Sequence, residues 1–332
     1  MLNPGWILRR FESRAVALAR SAGRVPVSSC AESPVRRAPF DRLACPVGFP
    51  GRMLVLNLIH AGRWLVGAVA GVRAAARALE AEVASGRPQR APQRAGEPFW
   101  AELEDCARSL GINAVGYARV PPELVFRDMA VLYPQAVVLL MEMGFEAIDR
   151  APAPAAGREV MRTYAALGEA ANALCAWLNR RGFPAQAGHP LGGAVLYPAL
   201  AYRAGLGVQG RNGLLLHPCY GPRHRLAAVF TDIADFPPPR PLPGSEAARL
   251  EALCDSCWAC VAACPTGALA KDPVPRPGGL RSYLDPARCF PFFMTHLGCS
   301  LCIKVCPLSR PGYGLALRER EAGRKEAAAA QG

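Results

Sequence analysis

CDSCWACVAACP, residues 254–265, is the stretch of sequence that decides the fold of the C-terminal part of the chain. Its four cysteines follow the spacing C-x2-C-x2-C-x3-C-P, which is typical of bacterial-ferredoxin-type domains with two 4Fe–4S clusters. Three thiolates of such a loop bind one cluster, whereas the fourth binds the other. Pro265 ends the helix that carries this fourth cysteine, because proline has no backbone N–H to donate. The stretch therefore predicts a small domain with two iron–sulfur clusters.

A truncated second copy of the motif, CSLCIKVCP, occupies residues 299–307. It lacks a cysteine three residues before Cys299, where His296 stands, so Cys289 is the obvious replacement and His296 is the alternative ligand. The crossing of ligands between the two copies predicts the following sets: Cys254, Cys257, Cys260 and Cys306 for cluster 1, and Cys264, Cys289, Cys299 and Cys302 for cluster 2. Paired C-x-x-C also suits tetrahedral zinc, but the two C-x3-C-P endings and the eight thiols favour clusters.

The composition is that of a globular protein with about two domains: 332 residues, of which 51% are hydrophobic and 20% charged. An odd count of 13 cysteines at these spacings indicates metal ligands rather than disulfides, and therefore a reducing, cytoplasmic location. The formal net charge of +13 favours anionic partners such as nucleic acid, an anionic membrane surface or an acidic electron-transfer protein.

The N-terminal part carries little pattern. Residues 1–52 have no sustained apolar periodicity and are predicted to be an unstructured leader. Residues 53–98 are predicted to form an Ala-rich helix (53–83) followed by a Pro/Arg linker. Because the helix contains His60 and Arg63, it is not expected to span a membrane, although it could lie on a membrane surface.

The central and C-terminal parts are predicted to make an α+β protein with two folded domains. Helices alternate with short buried strands over residues 99–235, which favours an α/β layer domain. The helices are predicted at 99–110 and 158–181, and the strands at 112–118, 136–141 and 225–231. The remaining segments are a Pro-rich linker (236–249), the ferredoxin-like domain (250–312) and a basic tail (313–332).

A glycine-rich segment, AYRAGLGVQGRNGLLLHPCYGPRHRLAAVFTD, covers residues 201–232. Its glycines allow the backbone to turn sharply or to approach a flat ligand closely, and Asn212-Gly213 is a tight-turn signal. Arg211 places a fork of donors in the loop. The alternative is a connection that only packs a helix against a strand. The order of the glycines does not match a dinucleotide-binding fingerprint.

Four segments in order make the chain similar to a known superfamily: AGLGVQGRNGLLL, GPRHRLAAVFTD, the C-x2-C-x2-C-x3-C-P motif and GCSLCIKVCP. Together with LGINAVGYA and YPQAVVLLMEM upstream, they resemble the epoxyqueuosine reductase and reductive dehalogenase superfamily over residues 99–312. The resemblance implies a nitroreductase-like domain that binds cobalamin and two 4Fe–4S clusters that pass electrons to the cobalamin. It also implies a ferredoxin- or flavodoxin-like protein that donates electrons to the clusters. It also implies a corrinoid pocket lined by Gly207, Gly210, Arg211, Asn212 and Gly213.

The proton donor of the epoxyqueuosine reductases is missing from its expected position. Those enzymes carry an Asp in a Val-Asp-Ser-Ala-Pro run, whose ungapped position here is Leu191, and no carboxylate lies between Arg181 and Arg225. Reductive dehalogenases use a tyrosine beside a cation. The candidates here are Tyr197, Tyr202, Tyr164 and, because its ordinary pKa suits proton transfer near neutrality, His189.

These observations predict an iron–sulfur, corrinoid-dependent reductase that acts on a small organic substrate. A non-enzymatic electron carrier is one alternative, since the front domain could dock a partner without binding a corrinoid. A tRNA epoxyqueuosine reductase is the other, and the basic charge is consistent with it.

Overall fold

The computed structural model describes residues 16–28, 93–127, 129–190, 193–275, 281–296 and 298–313, together with 62–63, 66–67, 69–70 and 73. The front domain contains β1 (Val27–Ser28), α1 (Glu97–Ser109), β2 (Ala114–Arg119), β3 (Ala130–Val131), β4 (Gln135–Glu142), α2 (Phe145–Ile148), α3 (Pro154–Arg180), β5 (Ala185–Gly188), α4 (Tyr197–Arg203), β6 (Val208–Gln209), β7 (Leu215–Leu216) and β8 (His224–Thr231). The rear domain contains α5 (Gly244–Cys257), α6 (Ala259–Ala262), β9 (Leu269–Pro275), β10 (Arg281–Leu284), α7 (Pro286–Thr295) and α8 (Leu301–Lys304).

The front domain is built on a four-stranded sheet with the order β2-β4-β8-β5. Every pairing in this sheet is antiparallel. The side chains of β4 alternate between the two faces, because successive residues of a strand point in opposite directions. Val137 and Leu139 join the core under α1 and α3, whereas Val138 and Leu140 join the core under α4. Helices on both faces of an antiparallel sheet give the predicted mixture of α and β, and the nitroreductase-like assignment stays a prediction.

The long helix α3 confirms the helical pattern at 158–181, although it begins four residues earlier, at Pro154. Its buried residues include Val160, Leu167, Ala171, Leu174 and Leu178, spaced at three and four residues along one face. Gly182 follows the helix with φ +85, a left-handed conformation that favours glycine. The helix therefore lies against the sheet by its apolar stripe, as the sequence predicts.

Parts of the N-terminal region contact the front domain. Residues 16–21 are helical, and β1 pairs antiparallel with β3, so residues 16–28 are ordered within the segment predicted to be a leader. A two-residue strand is too short to show a periodic pattern. In the segment predicted as a helix at 53–83, Arg63 forms an ion pair of 2.6 Å with Glu169 of α3. The rest of these two segments, and all but Tyr313 of the basic tail, lie outside the described residues.

Within the described residues, no helix has the length and apolar character needed to cross a membrane. The predicted contact of residues 53–83 with a membrane surface stays a prediction.

Two residues of the segment before β8 join the front and rear domains. Gly221 has φ +53, and a Cβ there would clash with the backbone of Leu308. Arg223 is 1% exposed and donates from Nε to the Ser309 carbonyl at 2.7 Å and from Nη1 to the Met143 carbonyl. Its Nη1 also lies 2.6 Å from Glu142 Oε1. Arg223 thus ties the end of β4 to the last turn of the rear domain. The first helix of that domain begins at Gly244, inside the predicted linker.

We expect the substitution Arg223→Ala to lower the free energy of unfolding by about 3 kcal/mol, because it leaves Glu142 and two buried carbonyl groups without their charged partner. Anaerobic thermal unfolding of the purified protein measures the effect. Arg203→Ala is the matched control. It breaks an exposed 3.0 Å pair with Glu123 and should cost less than about 1 kcal/mol. Equal losses in both variants would contradict the role assigned to Arg223.

Candidate functional site

Four cysteines surround one cavity of ≈ 30 Å³. Cys254 and Cys257 lie in the last turn of α5, Cys260 lies in α6, and Cys306 follows α8. We call these four residues cysteine group 1. They are the residues that the crossing rule assigns to cluster 1, and the structure brings them together although Cys306 is distant in sequence.

The other four cysteines influence one another electrostatically. Burial, together with negative charge on Cys299, Cys289 and Cys264, raises the pKa of the Cys302 thiol to about 12. Charge on Cys260 acts on Cys302 as well, so the two sets lie side by side. We call Cys264, Cys289, Cys299 and Cys302 cysteine group 2. These are the residues that the crossing rule assigns to cluster 2.

The chemistry of both groups suits iron–sulfur clusters. Burial raises the pKa of Cys260 to about 11 and that of Cys306 to about 12, so these thiols need a cationic partner to become thiolates near neutrality. Within the described chain, no three His, Cys, Asp or Glu side chains are close enough to hold a single metal ion. The four thiols of group 1 surround a cavity, and a polynuclear cluster needs such a space.

A backbone N–H donates a hydrogen bond to one cysteine sulfur in each of the two cysteine groups. The Arg211 N–H donates to Cys254 Sγ at 3.3 Å, and the Ala268 N–H donates to Cys264 Sγ at 3.3 Å. Burial opposes ionisation of Cys264, but the Thr266 hydroxyl and backbone N–H groups hold its pKa below the usual value. Hydrogen bonds of this kind stabilise charge on sulfur and tune the potential of a bound cluster.

Left-handed backbone turns occur beside the cysteines of both groups. Trp258 has φ 52, Cys299 has φ 43 and Ser300 has φ 65, although none of them is glycine. Such residues are strained, and strain of this kind concentrates at functional sites. The turns allow closely spaced cysteines to face the same space.

The structure brings Cys289 into group 2 and leaves His296 outside it. Cys289 is half-buried on α7, where burial and then charge on Cys264 and Cys299 raise the pKa of its thiol. His296 is exposed, and its ring stacks on the Phe292 ring with centroids 3.6 Å apart. Its Nδ1 lies 2.9 Å from the Thr295 hydroxyl.

The predicted glycine loop is the tip of a β-hairpin formed by β6 and β7. Gly213 has φ +77 and donates to the Gly210 carbonyl at 2.9 Å, which confirms the turn predicted at Asn212-Gly213. A Cβ at Gly207 would clash with the Leu216 backbone, and one at Gly210 would lie 2.7 Å from Asn212 Oδ1. Gly207 and Gly210 therefore let the hairpin close on itself, as the packing alternative expects.

Arg211 and Asn212 point from the hairpin tip towards the rear domain. Arg211 is 7% exposed, and its Nη2 lies 3.3 Å from Asp255 Oδ1. Asn212 Nδ2 lies 3.5 Å from the Cys302 carbonyl oxygen. The backbone of Arg211 meets group 1 and the side chain of Asn212 meets group 2, so one turn of the front domain touches both.

His189 and Tyr197 lie close together at the two ends of the loop after β5. A Cβ at Gly193 would lie 2.7 Å from the His189 carbonyl oxygen and would also clash with the Tyr197 hydroxyl. Both side chains are buried, His189 at 5% and Tyr197 at 6% exposure. Burial lowers the pKa of His189 to about 4, and neither of its ring nitrogens has a hydrogen-bond partner among the described residues. Leu191, the ungapped position of the missing aspartate, lies outside the described residues.

The two other tyrosine candidates differ in their surroundings. Tyr202 is exposed on α4. Tyr164 of α3 packs against the same apolar cluster as Leu214 and Cys302, and the Arg225 guanidinium lies over its ring at 4.9 Å. The sequence pattern does not single out Arg225. Its place near the start of β8, after the last glycine of residues 201–232, is the available signal.

Comparison with known proteins agrees with this geometry. The model of the 4Fe-4S dicluster domain matches residues 253–309. Tetrachloroethene reductive dehalogenase of Desulfitobacterium hafniense is 30% identical over 211 residues, which are 59% of this chain and 36% of that protein. Epoxyqueuosine reductase of Bacillus subtilis is 34% identical over 128 residues, 34% of this chain and 28% of that protein.

A solved structure of the catabolic reductive dehalogenase NpRdhA, in complex with 3-bromo-4-hydroxybenzoic acid, superimposes with a TM-score of 0.58 and 26% identity. The match covers 65% of this chain and 33% of that one. Homologues of both names and this structural neighbour support the superfamily that the motifs indicate. The chain spans about a third of the length of the dehalogenases that it matches.

We expect the protein purified without oxygen to hold about eight irons per chain, four for each cluster. Cys289→Ala should lose one cluster because it removes a thiolate of group 2. His296→Ala, the matched control, should keep both, since its ring contacts Phe292 and Thr295. Iron and acid-labile sulfide analysis measures both variants. If His296→Ala loses a cluster and Cys289→Ala keeps both clusters, His296 is the ligand in place of Cys289.

Proposed function

We propose that this chain is an iron–sulfur, corrinoid-dependent reductase of the reductive dehalogenase and epoxyqueuosine reductase type, and that its substrate is a small organic molecule. One observation carries the proposal: the hairpin tip of the front domain touches both cysteine groups, at Cys254 Sγ and at the Cys302 carbonyl. An electron carrier has no need of a second domain packed onto both clusters. A reductase needs one, because the reacting centre must lie near its source of electrons.

In this proposal, cysteine groups 1 and 2 hold the two 4Fe–4S clusters. The groups are adjacent through Cys260 and Cys302, so electrons can pass from one cluster to the other over a short distance. A ferredoxin- or flavodoxin-like protein would supply the electrons. The buried thiols need a reducing compartment, which supports a cytoplasmic location.

The front domain would hold the corrinoid. When bound, a corrinoid supplies the cobalt chemistry that cleaves a carbon–halogen or carbon–oxygen bond reductively. Buried polar atoms without a hydrogen-bond partner among the described residues support a polar group there: both ring nitrogens of His189 and Nε of Arg225. Such atoms are costly to bury alone. Gly207 and Gly210 would shape the loop beside the cofactor, whereas Asn212 and Gly213 lie at its tip, against the rear domain.

A tyrosine is a better candidate for the proton donor than His189. With a pKa of about 4, His189 is neutral at pH 7 and holds no readily released proton, so we assign it a hydrogen-bonding role. Tyr197 remains our first candidate, because its buried hydroxyl lies beside the loop that carries His189. Tyr164 is the second candidate, since Arg225 places a cation over its ring.

Two observations favour a small organic substrate over tRNA. No carboxylate lies between Arg181 and Arg225, so the chain lacks the acid that would assist departure of an epoxide oxygen. The similarity to tetrachloroethene dehalogenase also extends over 59% of the chain, against 34% for epoxyqueuosine reductase. We therefore propose a halogenated organic compound as the first substrate class to test.

We expect the cluster-replete protein to bind cobalamin in a form that lacks its lower base, with a change in the visible spectrum of the corrinoid. His189→Ala should weaken binding roughly fivefold through loss of one hydrogen bond. Gln209→Ala, at an exposed position of the front domain, is the control and should bind normally. A titration without spectral change and without retained cobalt would favour the electron-carrier alternative.

Tyr197→Phe should lower kcat by about 10²-fold or more in an anaerobic assay of halide release from tetrachloroethene, with cobalamin and a low-potential reductant present. Tyr202→Phe should leave kcat unchanged because Tyr202 is exposed. If Tyr197→Phe keeps the full kcat and Tyr164→Phe loses it, Tyr164 is the proton donor. Turnover of epoxyqueuosine in tRNA, in place of the halogenated compound, would overturn the substrate class.

A further inference from the structure

The guanidinium of Arg211 lies in an enclosed setting beside cysteine group 1. It lies 4.0 Å from the centre of the Trp258 ring and 5.1 Å from that of Tyr283. Its Nη2 is 3.3 Å from Asp255 Oδ1, and its Nη1 donates to the Lys271 carbonyl. All four neighbours belong to the rear domain. A cation is thus held between the aromatic residue inside the first cysteine motif and the hairpin β9–β10.

The same residue reaches the cluster ligand through its backbone. Its N–H donates to Cys254 Sγ at 3.3 Å, and Arg211 itself lines the cavity of group 1. Two influences therefore come from one residue: a hydrogen bond to a ligand sulfur and a buried positive charge next to the cluster space. The charge is poorly screened because Arg211 is only 7% exposed.

Both influences act in one direction on a 4Fe–4S cluster. Its reduction potential depends on net charge, on hydrogen bonds to the sulfurs and on solvent exposure. Reduction adds one electron and makes the cluster more negative by one unit, without forming or breaking a bond. A nearby cation stabilises that added charge, and its effect is larger where the effective dielectric constant is low.

We propose that Arg211 sets the reduction potential of the cluster held by group 1, raising it so that the cluster accepts an electron from a low-potential ferredoxin- or flavodoxin-like donor. The proposal rests on the cluster assignment of the proposed function but not on the corrinoid. It revises the expectation that Arg211 lines the corrinoid pocket, because Nη1, Nη2 and the backbone N–H are all engaged with the rear domain. Arg211 is a positioning and electrostatic residue here, and it takes no part in bond cleavage.

The test is a redox titration of the whole iron–sulfur protein, followed by electron paramagnetic resonance, without corrinoid. Arg211→Gln should shift the midpoint potential of one cluster to a more negative value and leave the other unchanged. Arg211→Lys keeps the charge and should shift it less. Cys302→Ser, which should remove the group 2 cluster, identifies the remaining signal as that of group 1. Arg203→Gln removes a positive charge from exposed α4 and should shift neither potential.

A second variant keeps the test decisive if Arg211→Gln fails to fold. Asp255→Asn removes the negative partner of Arg211 from an exposed position and should shift the same potential upwards. Unchanged potentials in both Arg211→Gln and Asp255→Asn, with normal iron content, would overturn the proposal. A protein that holds both clusters and shows these shifts but binds no cobalamin would support the inference and contradict the corrinoid part of the proposed function.

Discussion

Eight thiols have to be held beside one another and away from water, and the rest of the structure depends on this constraint. Burial and mutual repulsion raise the pKa of most of them, with Cys302 and Cys306 reaching about 12. Thiols in such a setting become ligands only if a cationic centre offsets the repulsion. Helices α5, α6, α7 and α8, with left-handed turns at Trp258 and Ser300, hold them in two groups, and group 1 surrounds a cavity. The hairpin of the front domain contacts both groups, at Cys254 Sγ and at the Cys302 carbonyl.

The parts of this arrangement that follow from local pattern could be predicted from the sequence. The C-x2-C-x2-C-x3-C-P spacing indicated both cysteine groups, the apolar stripe indicated α3, and Asn212-Gly213 indicated the turn of the hairpin. Each signal lies within a short window, where helical period, turn chemistry or ligand spacing is readable. Even the place of Cys306 in group 1 could be predicted, because the crossing of ligands is a rule of the motif itself.

Contacts between distant segments could not be predicted in the same way. The antiparallel order of the sheet and the pairing of β1 with β3 depend on strands that meet only in the folded chain. Arg211 is an example of a residue whose contacts could not be predicted. A guanidinium in a glycine loop suits a cofactor amide as well as a neighbouring domain, and its contacts with Trp258, Asp255 and Lys271 exist only in the folded chain. Gly207 and Gly210 were ambiguous for the same reason, since close approach to a ligand and to Leu216 need the same residue.

The contact between the two domains has a consequence for the rate of electron transfer in the proposed reductase. Gly221 lies so close to Leu308 that no side chain fits, and Arg223 binds the Ser309 carbonyl on one side and Glu142 on the other. Many electron-transfer proteins wait for a mobile domain to swing into range before an electron moves. Here the two parts already touch through Gly221 and Arg223, so in the proposed reductase the passage of an electron between them would be governed by distance and driving force instead of by domain movement.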